Sequence, residues 1–193
     1  MSKVSKQTIE KLAVGAILTA LVVVLQLLGS FIRFGPFSIS LVLIPIVIGA
    51  AITDWKIGGW LGFVFGVAVL LSGDAAAFMT IDVAGTIATV LLKGTLCGIG
   101  AGLAFKMLSK ANNYLAVVVS AIVCPAINTG IFLLGCRLFF MEEIISWGAA
   151  EGFTNAVQYM FLGLAGGNFL FELGVNIVLA PVIYRIIKAI RKI

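Results

Sequence analysis

Histidine is absent from this chain, and charge is scarce: of 193 residues only 11% are charged, against 62% hydrophobic. A soluble domain carries about 25% charged residues, so this one could not cover its own surface in water. Lipid must solvate most of it, in keeping with a mean hydropathy of +1.20. The three cysteines, Cys97, Cys124 and Cys136, lie inside apolar runs without CxxC spacing. With no histidine beside them, neither a zinc site nor a disulfide framework is indicated, and they read as small buried hydrophobes. The sequence has no G-x-x-x-x-G-K-[ST] loop for a nucleotide, no nucleophile beside a base and no metal-ligand cluster, so no enzyme activity and no cofactor are expected. Basic residues do not interleave with aromatics, which argues against nucleic acid. The net charge of +5 comes instead from Lys and Arg at the ends of apolar runs, where they meet one face of a bilayer.

What the chain does have is apolar runs of helical length. A bilayer core of about 30 Å takes about 20 residues of helix. On that basis the segments 11–30, 38–54, 57–72, 83–107, 114–140 and 164–188 are predicted spans. The fold class expected is an all-α integral membrane protein of six transmembrane helices, with residues 1–193 forming a single transmembrane domain. The N-terminal residues resemble a signal peptide, but further spans follow at once, so this run reads as the first transmembrane helix. Asp54-Trp55-Lys56 forms a tight polar turn between the short second and third segments. Residues 141–163 read as an outer loop with some interfacial helix, Trp147 sitting at the headgroup level. With the N-terminus inside, Lys3, Lys6, Lys11, Lys56, Lys106, Lys110, Arg185, Lys188, Arg191 and Lys192 face the cytoplasm, and only Arg33 and Arg137 lie outside. This positive-inside bias puts both termini in the cytoplasm.

Lys93 belongs to neither side. A charge at mid-membrane costs at least about 2.5–3.5 kcal/mol by insertion scales, so it needs a partner or a wet cavity. Asp82, Thr86, Thr89 and Lys93 fall along one face of the fourth segment, and Asn168, Glu172 and Asn176 along one face of the sixth. The fifth adds Asn128, one turn from a Cys124-Pro125 break, and Arg137 near its outer end. These residues predict a polar cavity between the fourth, fifth and sixth helices that opens outward. Its candidate substrate contacts are Lys93, Thr89, Asn128, Arg137, Asn168, Glu172 and Asn176. Amides donate and accept, which suits a neutral or zwitterionic molecule rich in hydrogen-bonding groups. The alternative is a buried Lys93–Glu172 ion pair, with the asparagines bonding across helices. Both readings stay open on the sequence.

Gly94, Gly98 and Gly102 repeat at i+4, as do Gly58, Gly62 and Gly66, and these faces read as helix-packing surfaces. Two outer loops have lid chemistry: 33–38, where Phe34 and Phe37 flank a Gly-Pro turn, and 72–80, with a flexible start and an apolar middle. Aromatics there would either stack on a planar ligand at the pocket mouth or anchor the loops in the headgroups.

Three stretches carry a family resemblance: Ala16-Ile17-Leu18-Thr19-Ala20, the run from Phe34-Gly35-Pro36-Phe37 to Ile44-Pro45, and Gly58-Gly59-Trp60-Leu61-Gly62-Phe63-Val64-Phe65-Gly66. Together with size and span number they resemble the S-components of energy-coupling factor (ECF) transporters, the vitamin-capturing subunits of a class of prokaryotic importers. The resemblance implies high-affinity capture of a water-soluble vitamin from outside, with pantothenate and riboflavin S-components as the closest-looking group. It implies a plasma-membrane location, and as partners a transmembrane T-component and two ATPase subunits, onto which the S-component topples with its site closed. Ala16 and Ala20 would then be the docking residues, on an AxxxA face. Two other classes remain: an ion-coupled secondary transporter using Lys93 and Glu172 as a proton relay, and a structural subunit of a membrane complex that binds no small molecule.

Overall fold

The apolar runs fold as helices that bury their small and branched residues against one another and leave their larger aliphatics outward. The computed structural model describes the backbone of residues 6–30, 33–34, 37–38 and 41–191, and the side chains of 9–30 and 41–190. In chain order the elements are α1 (Lys6–Gly29), an antiparallel hairpin of β1 (Arg33–Phe34) and β2 (Phe37–Ser38), α2 (Leu43–Ile52), α3 (Trp55–Ser72), α4 (Ala76–Met79), α5 (Val83–Leu108), α6 (Asn113–Phe139), α7 (Met141–Ala150), α8 (Ala156–Gln158), a π-helical turn (Tyr159–Leu164) and α9 (Gly166–Arg191).

Five of these, α1, α3, α5, α6 and α9, are long and apolar enough to cross a membrane. The second expected span, 38–54, is helical only over Leu43–Ile52. Ten residues reach about 15 Å, half a bilayer core. Pro45 accounts for the late start, because its missing N–H is harmless only in the first helical turn. The helix is also interior: Leu43, Ile46, Val47 and Ala51 are fully buried. Pro125 does not break α6, which continues through it. Residues 141–163 hold α7 and α8, and Trp147 packs edge-on against Phe78 with ring centroids 5.6 Å apart.

The helix ends sort by charge. Lys11 at the start of α1 pairs with Asp54 before α3 at 3.1 Å, so α1 and α3 begin at the same end. Trp55 meets Gly102 near the end of α5, and Tyr114 near the start of α6 meets Tyr184 near the end of α9. That end therefore carries Lys11, Lys56, Lys106, Lys110, Arg185 and Lys188, and the opposite end carries Asp74, Asp82, Glu142, Glu143 and Glu151.

The two glycine faces meet each other. Gly58, Gly62 and Gly66 on α3 lie against Gly98, Gly94 and Val90 on α5, backbone to backbone. A methyl added at Gly98 would fall on the Gly58 carbonyl, and one at Gly62 on that of Gly94. Gly98→Ala and Gly62→Ala are each expected to destabilise the protein by about 1–3 kcal/mol through overpacking. Gly130 and Gly174 are also helical but have open space where a Cβ would stand, so alanine there should stabilise by up to about 1 kcal/mol. Thermal unfolding in one detergent checks the opposite signs. Four variants moving together would remove the close-approach account.

Candidate functional site

Two hydrophobic clusters stack along the bundle, and the polar residues collect where they meet. The larger includes Phe65, Val69, Ala75 and Val90; the smaller is built on Phe78, Cys136, Phe140, Ile144 and Tyr159. Between them lies a cavity of about 70 Å³ lined by Gln26, Phe65, Val69, Asp74, Ala75, Phe78, Val90, Lys93, Asn128, Phe132, Asn168 and Glu172. A second void of about 40 Å³ adjoins it, shares Lys93, Asn128, Phe132 and Asn168, and adds Thr129, Leu164 and Ala165. Asp74, Ala75 and Phe78 put the cavity towards the acidic end of the bundle.

Glu172 is almost fully buried, and two helices hold its carboxyl. The Asn168 amide, one turn earlier on α9, donates to Oε1 at 3.2 Å, and the Asn128 amide on α6 donates to Oε2 at 3.5 Å. Lys93 is different. Its ammonium forms no ion pair among the described residues, Glu172 included; it lies 5.6 Å from the centroid of the Phe65 ring and 5.5 Å from that of Phe132. Two aromatic faces steady a cation without neutralising it. The buried Lys93–Glu172 ion pair is thus not formed. Asn128 Oδ1 has no hydrogen-bond partner either, so the cavity holds an unmatched ammonium and an unmatched amide oxygen.

The other expected contacts separate. Thr89 is buried against Gly135 on α6 and does not line the cavity. Thr86 returns its hydroxyl to the Asp82 carbonyl at 2.6 Å, and Asp82 caps α5 through the Gly85 N–H. Of that stripe only Lys93 lines the cavity: Thr86 back-bonds to the preceding turn, while Thr89 packs on Gly135 and its hydroxyl has no hydrogen-bond partner among the described residues. Asn176 donates to the Glu172 carbonyl at 2.8 Å, outside the cavity. Arg137 is exposed, for it follows Asn128 by nine positions, half a turn round the helix. The side chains of Phe34 and Phe37 lie outside the described residues.

Four lining features were not expected from the sequence. Gln26 on α1, almost fully buried, donates to Asp74 Oδ2 at 2.5 Å and ties the first helix to the 72–80 segment. The cavity is therefore not confined to α5, α6 and α9. The signal was present, a lone amide in an apolar run, but the expected cavity lay between the fourth, fifth and sixth helices and the first helix entered only as a docking face. Phe65 and Phe132 carried no signal that could tell them from lipid-facing phenylalanines. Phe78 sits in the segment expected as a lid; it is buried at 7% exposure and held by Phe132, Phe140 and Trp147. The wall beyond Phe132 is the π-helical turn, where Ala165 N–H bonds to the Met160 carbonyl at 3.0 Å in an i to i−5 step. Such turns frequently occur at functional sites.

On the outside of the bundle α1 and α3 leave an apolar groove lined by Leu12, Gly15, Ala16, Thr19, Ile57 and Trp60, where the Trp60 indole donates to the Thr19 hydroxyl at 3.1 Å. Ala16 and Ala20 are both exposed.

Comparison with curated proteins and with solved structures gave no match. A family model described as "ECF transporter, substrate-specific component" matches residues 10–184, nearly the whole length. This multi-pass membrane chain belongs to the substrate-specific components of energy-coupling factor transporters, transport subunits rather than enzymes.

Proposed function

We propose that the chain captures a small water-soluble vitamin at the Lys93–Asn128–Glu172 cavity from outside a prokaryotic cell and hands it inward by toppling on a T-component driven by two ATPases. The observation that carries the substrate reading is the ammonium of half-buried Lys93, set by two rings and in no ion pair among the described residues. A ligand carboxylate would supply the missing charge, and a ligand hydroxyl or amide N–H would satisfy Asn128 Oδ1. Pantothenate offers both kinds of group; riboflavin has no carboxylate. Of the two we favour pantothenate. The basic end of the bundle would face the cytoplasm, with α2 and its flanking residues making the sixth crossing of a single domain.

A vitamin needs more room than this. Ligand pockets span roughly 300–1,000 Å³, so binding requires the two voids, about 70 and 40 Å³ and both bordered by Phe132, to open well beyond what their merger would give.

Native mass spectrometry of the gently purified protein tests the reading. A retained mass equal to pantothenate, with thermal stabilisation by added pantothenate and none by riboflavin, is the expected result. Stabilisation by riboflavin alone would overturn the carboxylate argument, and no response to any vitamin would overturn the capture reading. Uptake supported by a sodium or proton gradient without the ATPases would move the chain to the ion-coupled class.

A further inference from the structure

A second polar pocket lies at the basic end of the bundle, far along α5 from Lys93. It is a cleft of about 320 Å³ between α3 and α5 whose lining includes Asp54, Trp55, Lys56, Phe105, Lys106 and Ser109. Lys56 and Lys106 are exposed, and neither is paired with an acid among the described residues. Lys56 makes only a contact over the Trp55 ring, at 5.8 Å. The one acid in the lining is already committed. Asp54 accepts the N–H groups of Lys56 and Ile57 at 3.0 and 3.2 Å and the Lys11 ammonium at 3.1 Å. Burial would raise its carboxyl, but those donors outweigh burial and hold it below the ordinary carboxylate value.

Two ammonium groups thus border one pocket whose single carboxylate, Asp54, is taken up by Lys11 and two backbone N–H groups, and Ser109 adds a hydroxyl whose own bond to the Lys106 carbonyl is long, 3.4 Å. Like charges so arranged repel unless an anion sits between them. Phe105 and Trp55 add apolar surface to the lining, and Leu103 and Met107, on the same helix as Lys106, are exposed apolar residues beside it. From this we infer that the cleft binds a phosphate group, held by Lys56, Lys106 and Ser109 and supplied by the headgroup of an anionic phospholipid. Basic pockets between membrane helices are established binders of such headgroups. The site would fix the depth of α3 and α5 at this end of the bundle, independently of what the Lys93 cavity holds.

The test is native mass spectrometry of the whole protein from micelles doped with phosphatidylglycerol or phosphatidylcholine, with inorganic phosphate as a soluble competitor. One phosphatidylglycerol should be retained in preference to phosphatidylcholine. Lys56→Gln and Lys106→Gln should each weaken its retention about fivefold, the value of roughly one surface cation near an anionic headgroup. Both side chains are exposed, so the variants should fold, and circular dichroism confirms it. Lys188→Gln, elsewhere at the same end, should change nothing; an equal loss there would mean a general field and no site. If inorganic phosphate displaces the lipid and stabilises the wild type but not the double variant, the phosphate site stands and its ligand is soluble. No preference for either lipid and no phosphate effect would overturn the inference.

Discussion

Lys93→Met is expected to weaken substrate binding by about 100-fold or more while leaving the ligand-free protein no less stable to heat. The affinity loss follows from removing one member of a buried charge pair formed with the ligand, an interaction whose truncation costs about 2–5 kcal/mol. Stability should not follow it down. In the free protein the ammonium lies by the faces of Phe65 and Phe132 and forms no ion pair among the described residues, although Glu172 lines the same cavity, and placing it inside a membrane helix costs at least about 2.5–3.5 kcal/mol. Methionine fills a similar space without that charge. Glu172 keeps its two amide donors, Asn128 and Asn168, in the variant. Calorimetric titration with pantothenate and thermal unfolding without it give the two numbers. Unchanged affinity with a marked fall in melting temperature would mean that Lys93 serves to balance Glu172, and the proposed carboxylate seat would be wrong.

That cavity was legible in the sequence where its residues are anomalous and illegible where they are ordinary. Lys93, Asn128, Asn168 and Glu172 stand out because a charge or an amide inside an apolar helix demands an explanation. Helical spacing alone, however, reached beyond the residues that line the cavity. It gathered Thr89, Arg137 and Asn176 onto the same faces, although Thr89 packs on Gly135 and nine residues along α6 reverse the side presented. The aromatic half of the lining could not be read, since Phe65, Phe78 and Phe132 differ from lipid-facing residues only in what folds over them. The same limit holds for the fold. The five long helices follow from run length. The shortening of α2 depended on Pro45 and on burial from all sides, and the π-helical turn before α9 leaves no trace in composition.

Ala16→Leu combined with Ala20→Leu is expected to reduce ATP-driven uptake by two orders of magnitude or more while substrate affinity stays within about twofold. Close helix approach depends on small residues, and filling such a surface with larger side chains costs about 1–3 kcal/mol per site, or roughly tenfold each in the docking equilibrium. Both alanines are exposed on α1, and Ala16 lies in the apolar groove that α1 forms with Ile57 and Trp60 of α3. No described residue fills that groove, so the added side chains should meet no internal clash among the described residues. The cavity is reached from the same helix further along it: Gln26 donates to Asp74, ten positions and about 15 Å beyond Ala16, and about 80–120° round from the two alanines. Docking and binding are thereby separable on one element. Uptake by cells expressing the complete transporter, set beside binding to the purified subunit, measures the two effects. Loss of both together would show that α1 is a structural strut of the binding site, and undiminished uptake would remove the AxxxA face from the docking surface.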